Sequence, residues 1–282
     1  ASFLFGNFAL AHIERGPTLS EQVSSTSISV VTIAGIMLVL LIILAVSKIE
    51  REPDPHPENP EVPLQDNFFR GTVFTLITII ILGTTFYLSG VTIYLNMLSE
   101  TGGPVHWHAD FRIFKCGQET FLQEPTGLAN RIGKPDLHEH GDNRIHLEGV
   151  VIKKIDYSLH NFFEAIGGDL TIGEMIFPGR DRVEWLVDGH QCEESLPEQG
   201  SAYLQVFLYK TEGDTIHQYK FPFKDENNEL IYYPDYVLSP YSQIPPGDCI
   251  IFEYSPILKE KTDRVCNFTD IAIKQGKYKL VK

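Results

Sequence analysis

Basic charge is scarce in this chain. Its 282 residues carry 23 Lys and Arg against 37 Asp and Glu, a formal net charge of −14. Residues 1–100 hold 4 basic and 9 acidic side chains, and residues 101–282 hold 19 and 28, so both parts are acidic. Phosphate binding needs clustered Lys and Arg, which argues against nucleic acid as a partner. Cysteine is sparse too. Cys116, Cys192, Cys249 and Cys266 form no C-x-x-C pair, so neither a zinc knuckle nor a thioredoxin-type site is supported. No separate nucleophile or acid–base pair stands out, which points away from an enzyme.

Two stretches lack charge altogether. Ser29–Ser47 runs for 19 residues and Gly71–Leu98 for 28. At about 1.5 Å per residue the first spans roughly 28 Å, the hydrocarbon thickness of a bilayer, and the second is long enough to tilt or emerge. Neither shows the polar stripe of a buried core helix. Thr, Ser, Gly and Tyr recur in the second run, as in helices that pack closely in lipid. Residues 29–47 and 71–98 are therefore read as transmembrane helices. The loop between them, residues 48–70, is acidic and contains Pro53, Pro55, Pro57, Pro60 and Pro63, which favour an extended linker. Lys48, Arg51 and Arg70 flank the spans, whereas the preceding tail has only Arg15. This bias predicts a cytoplasmic loop and two external termini. Residues 1–28 are expected to be an apolar or interfacial tail. The segment ASFLFGNFALA also resembles the end of a signal peptide, after which His12 would be the first residue.

Globular patterning begins at Thr101. VHWHADFRIFK alternates at period two and ends in a Gly turn, and RIHLEGVV reads as a second strand. YSLHNFFEAIGG reads as a short helix with Leu159, Phe162, Phe163 and Ile166 on one face. RVEWLVDG, AYLQVFLYK, HQYKFPF, ELIYYPDYV and DCIIFEYS are further strand candidates. The expected fold is two transmembrane helices followed by an α+β, mainly antiparallel-β extracytoplasmic domain, with a His-rich part at 101–178 and a strand-rich part at 180–282. An even cysteine count outside the cytoplasm suggests two disulfides. Polar, turn-like surroundings nominate Cys192 with Cys266, and Cys249 reads as a plain core residue.

Five of the ten histidines fall between positions 106 and 146. His106-Trp107-His108 lies on a predicted strand, so both rings and Asp110 share one face while Trp107, Ala109, Phe111 and Ile113 share the core face. His138-Glu139-His140 repeats the spacing in a stretch read as a loop that can fold this pair over the first, and His146-Leu147-Glu148 again puts two polar groups on one face. Imidazole suits copper, zinc, iron and nickel, and the absence of thiolate or methionine from these motifs argues against a blue-copper centre. The reading is one mononuclear site drawing on His106, His108, His138 and His140, with His146 or Glu148 beside them. Copper is the expected ion and zinc the alternative. Asp110, Asp142 and Glu148 are candidates to accept the outward N–H of a ligating ring. His56, His160, His190 and His217 are isolated and are not read as ligands.

HWHADFRIFKCG, LHEHGDNRIHLEGVV and SLHNFFEAIGG together resemble a group of membrane-anchored extracytoplasmic proteins of archaea and small-genome bacteria. The resemblance covers Val105–Gly168 well and Arg182–Tyr254 loosely. It implies an external domain and joint action of the five histidines, and it implies no reaction. Two spans in place of that group's single anchor imply membership in a larger membrane complex. Function then divides three ways. The chain handles metal at the membrane, alone or as an accessory subunit of a membrane metalloenzyme. It is a purely structural subunit of such a complex. Or it is a cupin-like metalloenzyme, a reading weakened because no Glu follows His108 at the cupin distance.

Overall fold

The computed structural model describes residues 19–49, 64–126, 128, 130–239 and 246–281. The chain divides into two units, residues 1–95 and 96–282. In the first, α1 (Leu19–Ile49) and α2 (Leu64–Leu98) are both long and apolar enough to cross a membrane. Each extends beyond its uncharged run: α1 starts ten residues before Ser29, and α2 starts seven before Gly71. The hydroxyls that recur along α2 are satisfied within the helix. Thr72, Thr75, Thr78, Thr84, Thr85 and Thr92 each donate to the carbonyl four residues back. They therefore add no unpaired donor to an apolar surface. The N-terminal segment with His12, and the proline-rich stretch with His56, lie outside the described residues.

The second unit is built on strands β1 (Pro104–Lys115), β2 (Gln118–Thr120), β3 (Ile132–Gly133), β4 (Leu137–Glu139) and β5 (Arg144–Val150). Helix α3 (Leu159–Ala165) follows, then β6 (Asp169–Thr171), β7 (Glu174–Pro178) and β8 (Val183–Val187). The remainder is β9 (Tyr203–Glu212), β10 (Thr215–Lys220), β11 (Phe223–Lys224), β12 (Leu230–Ile231), β13 (Asp248–Ser255), α4 (Asn267–Lys274) and β14 (Lys279–Val281). A nine-stranded sheet runs β14-β10-β9-β13-β1-β5-β4-β3, with β2 beside β1. Pairing is mostly antiparallel. The two exceptions, β1 with β13 and β10 with β14, join strands far apart in sequence. The His-rich and strand-rich segments thus share one sheet, since β13 inserts between β1 and β9.

Two apolar layers cover this sheet. On one face α3 presents the expected stripe: Phe162 meets Phe111 at 5.8 Å between ring centroids, and Phe163 meets Phe252 at 5.4 Å. Ser158 caps the helix by accepting from the Asn161 amide. Gly168 closes the connection, because a Cβ there would lie 2.1 Å from the Ile176 carbonyl oxygen. On the opposite face, Phe114, Phe207, Tyr209, Ile216, Cys249 and Ile251 pack with Cys266 and the C-terminal segment. Every residue of β13 is consequently buried, as for a central strand covered on both sides. That second layer stops short of the start of β1, where alternate residues remain open to solvent.

The cysteines correct the sequence reading. Cys116 pairs with Cys192 and Cys249 with Cys266, at Cα–Cα separations of 6.0 and 5.7 Å. Cys192 and Cys266 are therefore not partners, and Cys249 is no plain core residue. Local polarity does not report which segments become neighbours, whereas a disulfide needs its Cα atoms within about 7 Å. A second departure is ELIYYPDYV: only Leu230–Ile231 is strand, and Tyr233–Asp235 is a 3-10 turn around Pro234.

Candidate metal centre

The site grows from the register of three adjacent strands. Pairing of β1 with β5 sets His106 opposite Glu148, His108 opposite His146 and Asp110 opposite Arg144. Pairing of β4 with β5 sets His138 opposite His146. The period-two reading of His106 and His108 holds, since Trp107 and Ala109 point into the core and His106 is exposed. The second H-x-H pair does not fold over the first as a loop. His138 lies within the sheet, one strand further out, and is only 2 % exposed. Gly133 permits this: it pairs with His138 from β3 at φ +111°, and a Cβ there would meet the Leu137 carbonyl oxygen at 2.7 Å.

The five imidazoles form one continuous array. Ring centroids are 4.5 Å apart for His106 and His108, 4.6 Å for His108 and His146, 4.7 Å for His146 and His140, and 4.6 Å for His140 and His138. His138 and His146 stack at 5.4 Å. Among the described residues the donor atoms fall into two groups, each with all members within 4.8 Å of one another: His106, His108, His146 and Glu148, and His138, His140 and His146. All six sequence candidates are present. The four rings of the two H-x-H pairs do not form a single group, and His146, placed beside them by sequence, belongs to both.

Donor atoms come closest at the two ends. His106 Nε2 is 3.0 Å from Glu148 Oε1, and His138 Nε2 is 3.0 Å from His140 Nε2. Two ligands each about 2 Å from one ion stand roughly 3 Å apart, so both edges have the width of a coordination edge. The outward nitrogens have partners in part. His140 Nδ1 lies 2.6 Å from the Asn130 carbonyl, which as an acceptor fixes the proton on Nδ1 and leaves Nε2 with its lone pair. His146 Nε2 lies 3.3 Å from Asp142 Oδ2, while the buried Nδ1 atoms of His138 and His146 have no hydrogen-bond partner among the described residues. Asp110 serves another purpose, accepting from Arg144 Nε at 2.7 Å. Arg144 itself lies 4.2 Å over the Phe268 ring at the rim of the C-terminal layer. Asn130 is the contact that sequence reasoning misses, because a main-chain carbonyl ten residues upstream carries no side-chain signal.

Electrostatics favour the neutral ring at His108 and His138. Burial, followed by the neighbouring His146 and His106, pushes His108 down to about 4, and burial with His140 and His146 lowers His138. A lowered imidazole keeps its lone pair available at neutral pH. His160 and His217 lie elsewhere, against Asp169 and Thr215. Comparison of the chain with family models, curated proteins and solved structures gives no match. The arrangement itself is of a definite class: a disulfide-bonded, mainly antiparallel β domain whose histidine groups can hold a metal ion, following two helices able to cross a membrane.

Proposed function

We propose that this chain is a membrane-anchored extracytoplasmic metal-binding protein, with copper as its ion, acting in metal handling or as an accessory subunit of a membrane metalloenzyme complex. The observation that carries the reading is the pair of 3.0 Å donor edges on one array of imidazoles. Nitrogen and carboxylate donors without sulfur suit Cu(II), which also leads the affinity order of divalent ions. Zinc is the alternative. The bilayer and neighbouring membrane subunits are the partners. The Lys48, Arg51 and Arg70 bias supports a cytoplasmic loop, and the two disulfides suit an oxidising compartment outside.

Two measurements test this. The purified full chain in detergent should bind Cu(II) by elemental analysis, and the His106→Ala/His108→Ala double variant should bind less. Unchanged copper in the double variant would remove these two rings from the site, and no copper in the parent would sink the metal reading. For topology, an impermeant maleimide should leave a single cysteine engineered at Glu58 unlabelled in intact cells and react with one at Glu226. The reverse pattern would invert the orientation.

A further inference from the structure

We infer that the imidazole array is a two-ion site, an outer position at His106, His108 and Glu148 and an inner position at His138 and His140, with His146 contested between them. This rests on the metal reading above and specifies its stoichiometry. All ligands of one ion lie within about 4.2 Å of each other, twice a metal–nitrogen bond of about 2.1 Å. The donors separate into two groups even at the looser limit of 4.8 Å, and no group combines the outer pair with the inner pair among the described residues. Each group also has its own coordination-width edge of 3.0 Å, at opposite ends of the array.

The two positions differ in access. The His106 and Glu148 side chains are 64 % and 40 % exposed, whereas His138 is 2 % exposed. The outer position is therefore the more open one, the inner position joins buried His138 to half-buried His140, and His146 links the two. A neutral imidazole offers one lone pair, so His146 completes one position at a time. The position without it keeps either three donors outside or two inside. Two bound dications also repel each other across a partly buried site. Binding should therefore proceed in two steps of unequal affinity, the second weaker.

The test is copper stoichiometry on the full chain in detergent, titrated with Cu(II) and read by elemental analysis after removal of free ion. Two ions per chain are expected for the parent. His138→Ala and His106→Ala should each retain one, lost from opposite ends. Electron paramagnetic resonance of the saturated parent should show a half-field line from two interacting Cu(II) centres, absent in both variants. Circular dichroism and intact disulfides identify any variant that fails to fold, and the parent's own stoichiometry decides in that case. One ion per chain in the parent overturns the two-ion inference and leaves the metal reading standing. Two ions that persist in both folded variants overturn it as well, by placing the second ion elsewhere. No bound copper removes the metal reading and this inference with it.

Discussion

Replacing His146 with alanine is expected to weaken Cu(II) binding by about 100-fold or more at the position that this ring completes. Disturbing even the partners that orient a ligand costs about 10- to 100-fold in affinity, and His146 is a donor in both groups. Its central place is set by register, with His108 opposite it from β1 and His138 opposite it from β4. Isothermal titration with Cu(II) measures the effect, and His160→Ala, on a ring outside the array, serves as the control. Equal losses in the two variants would show that His146 has no special part. The metal-free protein offers a second readout. His146 is the largest charge-based cause holding His108 down at about 4, after burial. In metal-free His146→Ala, the His108 ring should titrate closer to its ordinary 6.5, as followed by NMR.

The sign for stability follows. Between pH 6.5 and about 4 the unfolded chain binds a proton at His108 that the native state refuses, so this residue makes stability fall as pH falls through that window. His146→Ala should flatten that slope. Asp248, buried and raised to about 6, acts with the opposite sign between 3.8 and 6 because the native state takes its proton first. It is common to both proteins and cancels in their difference. A slope unchanged by the substitution would mean that His146 does not hold His108 neutral.

Loss of the Cys116–Cys192 disulfide is expected to cost about 4.5 kcal/mol of stability, from the entropy of closing a long loop in the unfolded chain. The bridge joins residues 76 apart, from the turn after β1 to the segment following β8. The Cys249–Cys266 bridge closes only 17, and the same relation gives about 3 kcal/mol. Chemical denaturation of the full chain in detergent, parent against Cys116→Ala/Cys192→Ala, measures the first. A double variant within about 1 kcal/mol of the parent would mean that the bridge adds little to what the pairing of β1 with β13 already holds. Removal of the shorter bridge should instead loosen the C-terminal layer selectively, since Cys266 caps α4 and its amide donates to Cys249 Sγ at 3.0 Å.

Much of the centre was legible in the sequence because its strands alternate strictly. In His106–Ile113 the period of two assigns each side chain to a face without reference to any partner, and the same holds for His146 and Glu148 on β5. The α3 stripe was legible for the same kind of reason, four apolar residues at helical spacing ahead of a glycine pair. The uncharged runs announced two helices able to cross a membrane, because apolar length is a local property of the chain. What remained hidden depends on pairs of segments. His138 looks like part of a loop, and only the β4–β5 pairing makes it a neighbour of His146. The split of six donors into two groups sharing His146, the Asn130 carbonyl behind His140, and the partners of all four cysteines are likewise consequences of which strands lie side by side. Sequence periodicity carries direction, while register and neighbourhood are set by which strands pair, here β1 with β5 and β5 with β4.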